Sequence, residues 1–195
     1  MFHFIDTHFA PVVNINRPAK IFDFTMGYDP EYISRFSLGI GRYNEKRKHM
    51  YVSNLYKDGR DVHMGVDFWM PAGSDVFSFW DGNILLFQDN ANFRDYGPTI
   101  ITEHVINQEP IYALFGHLSR NSLKGLSEGQ LIKKGDKIAE IGTENENGGW
   151  VPHLHFQISI RKPTIADMPG VVADKDLNEA LRIYPDPGLV LGKLY

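Results

Sequence analysis

A chain of 195 residues, 43% hydrophobic and 23% charged, is long enough for one sizeable domain and short for two. Its net charge of -4, with no basic patch, argues against a nucleic-acid partner, and no run approaches the ~20 apolar residues that a bilayer span needs. Cysteine is absent, which excludes disulfides, a thiol nucleophile and thiolate zinc sites, so a transition metal would have to be held by His, Asp or Glu.

The stretch from Met1 to His8 lacks a basic region followed by an apolar one, so no export signal is read there and a cytoplasmic location is expected. Residues 1–42 read as an irregular, aromatic-rich lead-in that packs on the core, broken by Pro11, Pro18 and Pro30. A helix of about two turns is expected from Pro30 to Phe36, and a loop at Gly39-Ile40-Gly41. His3, His8 and His49 have no partner at metal-ligand spacing and are expected at the surface or in packing.

Residues 43–160 form the main β-domain in this reading. Strand-length apolar runs span 50–55, 62–69, 75–80, 84–88, 99–104, 111–116, 137–142 and 154–160, separated by turn signals such as Pro71-Ala72-Gly73 and Tyr96-Gly97-Pro98. Asp81-Gly82 between two such runs predicts a hairpin. The pattern argues for an all-β sandwich or barrel with antiparallel strands. Residues 161–195 are Pro-rich and read as a cover, with one helix over 174–183 capped by Asp174 and striped by Leu177, Ala180 and Leu181.

Several polar groups in the main domain exceed what a plain β-core needs. His153 and His155, two apart in an extended run, share one face of a strand with Cα atoms about 6–7 Å apart, so both can converge on one small object. His63 and Asp67 lie four apart, about 13 Å on a straight strand, and Gly65 between them permits the bend that would bring them together. His117 follows an apolar strand. His104 ends another and is read as structural. Two histidines and one aspartate make a fitting set for a catalytic zinc ion, which takes three protein ligands and leaves a position for water. Further histidines could move protons near neutral pH. Spacing alone does not say which of His153 and His155 binds metal. Metal affinity is expected to fall below about pH 6, because ligand imidazoles must be neutral.

His63-Met64-Gly65-Val66-Asp67-Phe68, Gly116-His117-Leu118-Ser119 and Pro152-His153-Leu154-His155-Phe156 resemble, in order, the three signature motifs of the M23 (lysostaphin/LytM-type) zinc metallopeptidases. The intervening 71–76, 129–136 and 138–142 match that family as well, and the resemblance covers roughly residues 58–160. It implies a compact antiparallel β-sheet core, of barrel-sandwich type, with a groove across it and Zn²⁺ as cofactor. It also implies a peptide or peptidoglycan-like substrate. His63, Asp67 and His155 would be the zinc ligands, His153 the general base, and His117 a stabiliser of the tetrahedral intermediate. Gln157 stands where many members carry Glu, an outer-shell change. The 96–101 stretch, Gly148-Gly149-Trp150 and Pro185-Asp186-Pro187 resemble a subgroup found as a module in kinase-like/aminotransferase-like fusion proteins. The groove is expected to be lined by Phe68, Trp69, Phe115 or Trp150.

Two other classes share features with this sequence. A lipoyl- or biotinyl-carrier shares the hairpin pattern of 129–142 but needs an exposed lysine at a tight turn, which is missing. A non-hydrolytic metal- or ligand-binding module on the same fold is the alternative to the peptidase. No HExxH helix motif points to another zinc peptidase class.

Overall fold

A computed structural model describes residue 4 and residues 7–51, 53–56 and 58–195. In chain order its strands are β1 (Lys20–Ile21), β2 (Gly39–Gly41), β3 (Val62–His63), β4 (Val66–Trp69), β5 (Asp75–Phe77), β6 (Gly82–Asn90), β7 (Gly97–Ile106), β8 (Glu109–Gly116), β9 (Leu131–Ile132), β10 (Lys137–Glu140), β11 (His153–Ser159) and β12 (Val171–Val172). The helices are α1 (Pro30–Ile33), α2 (Leu177–Ile183) and α3 (Gly188–Leu191). The large sheet runs β1-β2-β4-β11-β8-β7-β6-β9, and the pairs β10-β5 and β12-β3 stand beside it. The fold is all-β with short helices at the periphery. Among the described residues, all strand pairings are antiparallel except β1 with β2.

Alternation along β11 sorts its side chains onto two faces. Leu154, Phe156 and Ile158 join Val66, Phe68, Ile100 and Phe115 in the main core. His153, His155 and Gln157 point to the opposite face, which the tail covers, so all seven residues of β11 are buried. The cover is anchored by β12 on β3 and by Ala180 of α2, which packs with Val62, Met64 and Val172.

Several local expectations change. The lead-in is not merely irregular: β1 and β2 extend the large sheet, with Ile40 opposite Phe68 and Gly41 opposite Asp67. α1 has one turn rather than two, capped by Asp29, whose side chain accepts from Tyr32 N. Among the described residues of 50–55 there is no strand; Asn54–Tyr56 form a 3-10 turn, and Met50 and Tyr51 pack beside Trp69 and Trp150. The run 62–69 splits at Met64-Gly65 because its halves pair with different strands, β3 with β12 and β4 with β2 and β11.

Asp81-Gly82 closes no hairpin, since β5 pairs with β10 and Gly82 already pairs with His104 in β7. Asp81 instead accepts from Lys134 N and Lys133 Nζ. A two-residue hairpin lies at Asn107-Gln108, where both residues have positive φ (51° and 70°), as a primed turn requires. In the tail, 174–176 form a 3-10 turn before α2, and Asp174 pairs with Lys46 rather than capping a helix.

Candidate metal centre

Adjacent strands carry the site. β4 supplies Asp67, its neighbour β11 supplies His155 directly opposite, and β3 ends at His63. The three donor atoms form a tight triangle. His63 Nε2 is 3.0 Å from His155 Nδ1 and 3.2 Å from Asp67 Oδ1, and His155 Nδ1 is 3.1 Å from the same oxygen. Gly65 leaves the space for this: a Cβ there would lie 2.5 Å from His155 Cε1 and 2.6 Å from its Nε2. Close approach, more than the anticipated bend alone, is what the glycine provides.

Each ring is held by its other nitrogen. His63 Nδ1 is 2.9 Å from the Arg42 carbonyl, which only accepts, so Nδ1 carries the proton and Nε2 the lone pair. His155 Nε2 donates to Gln157 Oε1 at 3.0 Å, and the Gln157 amide nitrogen donates to Pro169 O, which fixes the amide's orientation. His155 Nδ1 therefore presents its lone pair inward. Three lone-pair atoms thus face one another with no proton of their own between them. A cation relieves that repulsion. A tetrahedral ion with bonds of about 2.0–2.1 Å spaces its ligands by about 3.3 Å, close to the triangle observed.

His153 and His117 sit beside the triangle, their rings 4.2 Å apart. His153 Nδ1 donates to Val151 O (2.8 Å) and its ring stacks on Trp69 at 4.0 Å, while His117 Nδ1 donates to Asn147 O (2.9 Å). Both leave Nε2 free to accept. His117 has φ of 62°, an uncommon left-handed conformation that marks a constrained position. A cavity of about 450 Å³ opens over the five residues, with Tyr51, Arg60, Arg94, Trp150 and Asp167 among its walls.

Burial sets the electrostatics. It pushes His63 down to about 4, with Arg47 adding to the effect and Asp67 opposing it. It likewise brings His153 to about 4 against the pull of Asp67, and lowers His117 well below the usual range beside His153 and His155. For Asp67 burial alone would raise the carboxyl, but His63 and Arg47 outweigh it and hold it well below the ordinary value.

His104, outside the centre, is also held near 4 by burial. Between 6.5 and 4 the unfolded chain binds protons that His63, His104 and His153 refuse in the fold, so their contribution is complete above about pH 6.5 and is lost as pH falls towards 4. The metal-free protein is expected to lose on the order of several kcal/mol across that window. Thermal midpoints measured from pH 7 to 4.5 check this, and a flat profile would contradict it.

The model of peptidase family M23 matches residues 61–167, which include all five residues. The chain belongs to peptidase family M23. Among relatives, the M23 chain is 31% identical over 131 residues to the peptidoglycan DD-endopeptidase ShyB of Vibrio cholerae, covering 65% of this chain and 27% of that protein. It is 28% identical over 132 residues to an uncharacterized metalloprotease of Haemophilus influenzae, covering 66% and 25%. It therefore spans about a quarter of the length of these relatives. Among solved structures, a zinc-containing peptidase from Vibrio cholerae aligns with a TM-score of 0.45 and 32% identity over 60% of this chain and 31% of that one.

Seen from the M23 motifs, the structure brings His63, Asp67, His117, His153 and His155 together. It leaves His104 elsewhere, its Nε2 2.7 Å from Thr102 Oγ1 and its ring on Phe79. His8 and His49 are exposed, and His3 lies outside the described residues. The groove assignment is corrected: Phe68 and Phe115 are in the core, Trp69 lies behind His153, and of the four only Trp150 lines the cavity. Alternation explains Phe68, since Asp67 faces the site and its neighbour must face away. Arg47, the Arg42 carbonyl and Tyr96, whose hydroxyl donates to Met168 O beside His155, also border the site. No motif spacing marks them.

Proposed function

We propose that this M23 peptidase is a zinc-dependent endopeptidase acting on peptidoglycan-like peptides. The observation that carries the reading is the triangle of unprotonated donors, His63 Nε2, Asp67 Oδ1 and His155 Nδ1, at 3.0–3.2 Å. These atoms would hold the ion. When bound, zinc supplies Lewis acidity that polarises the scissile carbonyl and makes water a better nucleophile at neutral pH.

The chain's own groups do the rest. His153, neutral and with Nδ1–H fixed on Val151 O, presents Nε2 to take the proton of the attacking water. As the C–N bond breaks, that proton passes to the leaving amine. His117 has the same tautomer, so it stabilises negative charge only after receiving a proton itself. The cavity walls carry Arg60 and Arg94 as well as Asp95 and Asp167, which suits a peptide bearing both signs of charge. The names of the Vibrio cholerae relatives support a cell-wall peptide. Cross-linked muropeptides assayed beside unrelated peptides test that assignment.

Elemental mass spectrometry on protein purified without added metal tests the centre. About one zinc per chain is expected in the native protein and none in His155→Ala. No metal in the native chain after zinc is offered would sink the peptidase reading and leave a non-hydrolytic binding module.

A further inference from the structure

The two oxygens of Asp67 face different neighbours. Oδ1 belongs to the donor triangle, whereas Oδ2 accepts from Arg47 Nη1 at 2.7 Å. The Arg47 side chain is entirely shielded from solvent. Its Nε donates to Glu45 Oε2 at 2.9 Å, Nη1 also reaches the Tyr51 hydroxyl at 3.2 Å, and Nη2 reaches the Arg42 carbonyl at 3.3 Å. Its guanidinium carbon lies 4.8 Å from the centre of the Phe24 ring. A buried cation held on so many sides has a fixed direction. Gly41, opposite Asp67 in the sheet, makes the contact sterically possible, since a Cβ there would come within 2.7 Å of Arg47 Nη2 and 3.0 Å of Asp67 Oδ2. Both Gly41 and Arg47 precede the 61–167 segment that matches the family.

We propose that Arg47 is a positioning residue of the metal centre, holding Asp67 Oδ2 away from the ion so that the carboxylate offers one oxygen, aimed between His63 and His155. The inference rests on the zinc reading above and adds the device that sets the ligand number. Arginine suits the task because its planar fork serves Asp67 and Glu45 together; a lysine ammonium is a point charge that cannot hold both in plane. The same segment orients a second ligand, since the Arg42 carbonyl that receives Arg47 Nη2 also fixes the His63 tautomer.

Arg47→Met and Arg47→Lys test this through metal binding rather than turnover. Zinc dissociation constants are measured by competition with a chromophoric chelator, and the visible spectrum is recorded after cobalt substitution. Arg47→Met is expected to weaken zinc about 10–100-fold and to shift the cobalt bands, because the released Oδ2 can then join the coordination. Arg47→Lys is expected to recover part of the affinity but not the native spectrum. If the methionine variant does not fold, with Glu45 Oε2 buried and stripped of its Arg47 partner, Glu45→Gln/Arg47→Met removes that defect and is measured in its place. X-ray absorption on the zinc-loaded native chain needs no variant and is expected to show a carboxylate bound through one oxygen. Two-oxygen binding there, or native affinity and spectrum in a folded Arg47→Met protein, overturns the inference while leaving the zinc reading intact. A native chain that takes up neither zinc nor cobalt overturns both.

Discussion

Asp67→Ala is expected to lose zinc and activity together. Asp67 is the one anionic member of the donor triangle, and its two neighbours there are neutral imidazoles. Its removal should therefore weaken zinc by more than the roughly 10–100-fold that outer-shell changes cost. Turnover should fall by about three decades or more, since the ion's contribution to a carbonyl reaction is several kcal/mol. The substitution also strands Arg47, which keeps Glu45 but loses its other carboxylate. Loss of one partner from a buried ion pair costs about 3–5 kcal/mol when nothing remains, and Glu45 should hold the effect below that range. Asp67→Asn, which keeps the volume and an amide oxygen but not the charge, separates coordination from packing. The measurement is zinc per chain beside hydrolysis rate. Stoichiometric zinc in the alanine variant would show the ligand assignment to be wrong.

His153→Ala is expected to separate what Asp67→Ala joins. Zinc should stay near one per chain, because His153 lies outside the donor triangle and its Nδ1 is committed to Val151 O. Turnover should drop by about 10²–10⁴, the usual contribution of a positioned acid–base group. Some loss of stability accompanies this, since the ring is buried and stacked on Trp69. Zinc content and steady-state rates on the same preparation decide the matter. Full activity would show that His153 is not the base, and His117 would then take the role.

The donor triangle was legible because histidine and aspartate at motif spacing are chemically unusual on strands, and resemblance chose between His153 and His155 where spacing could not. Membership of the core was readable from alternation, yet the groove assignment neglected it and placed Phe68 and Phe115 on the wrong face. What could not be read is whatever the tertiary fold creates. Arg47 is an ordinary basic residue in a basic stretch, Lys46-Arg47-Lys48, and its role exists only because β2 aligns Gly41 with Asp67. Asp81-Gly82 had the local chemistry of a hairpin, but β5 found its partner in β10, some 60 residues away in sequence.

The pairing of β2 with β4 also decides where this unit can be cut. The match to the family model begins at residue 61, but a boundary drawn there would pass through a continuous sheet. It would strip β4, the strand carrying Asp67, of its outer neighbour and leave its N–H and C=O groups as an open edge, available to any passing strand. The aromatic roof of Phe22, Phe24 and Tyr28 over Trp69 would go with it. The continuous sheet therefore reaches back some forty positions upstream of residue 61, to β1 at Lys20, and a piece meant for transplanting between proteins should carry those residues with it.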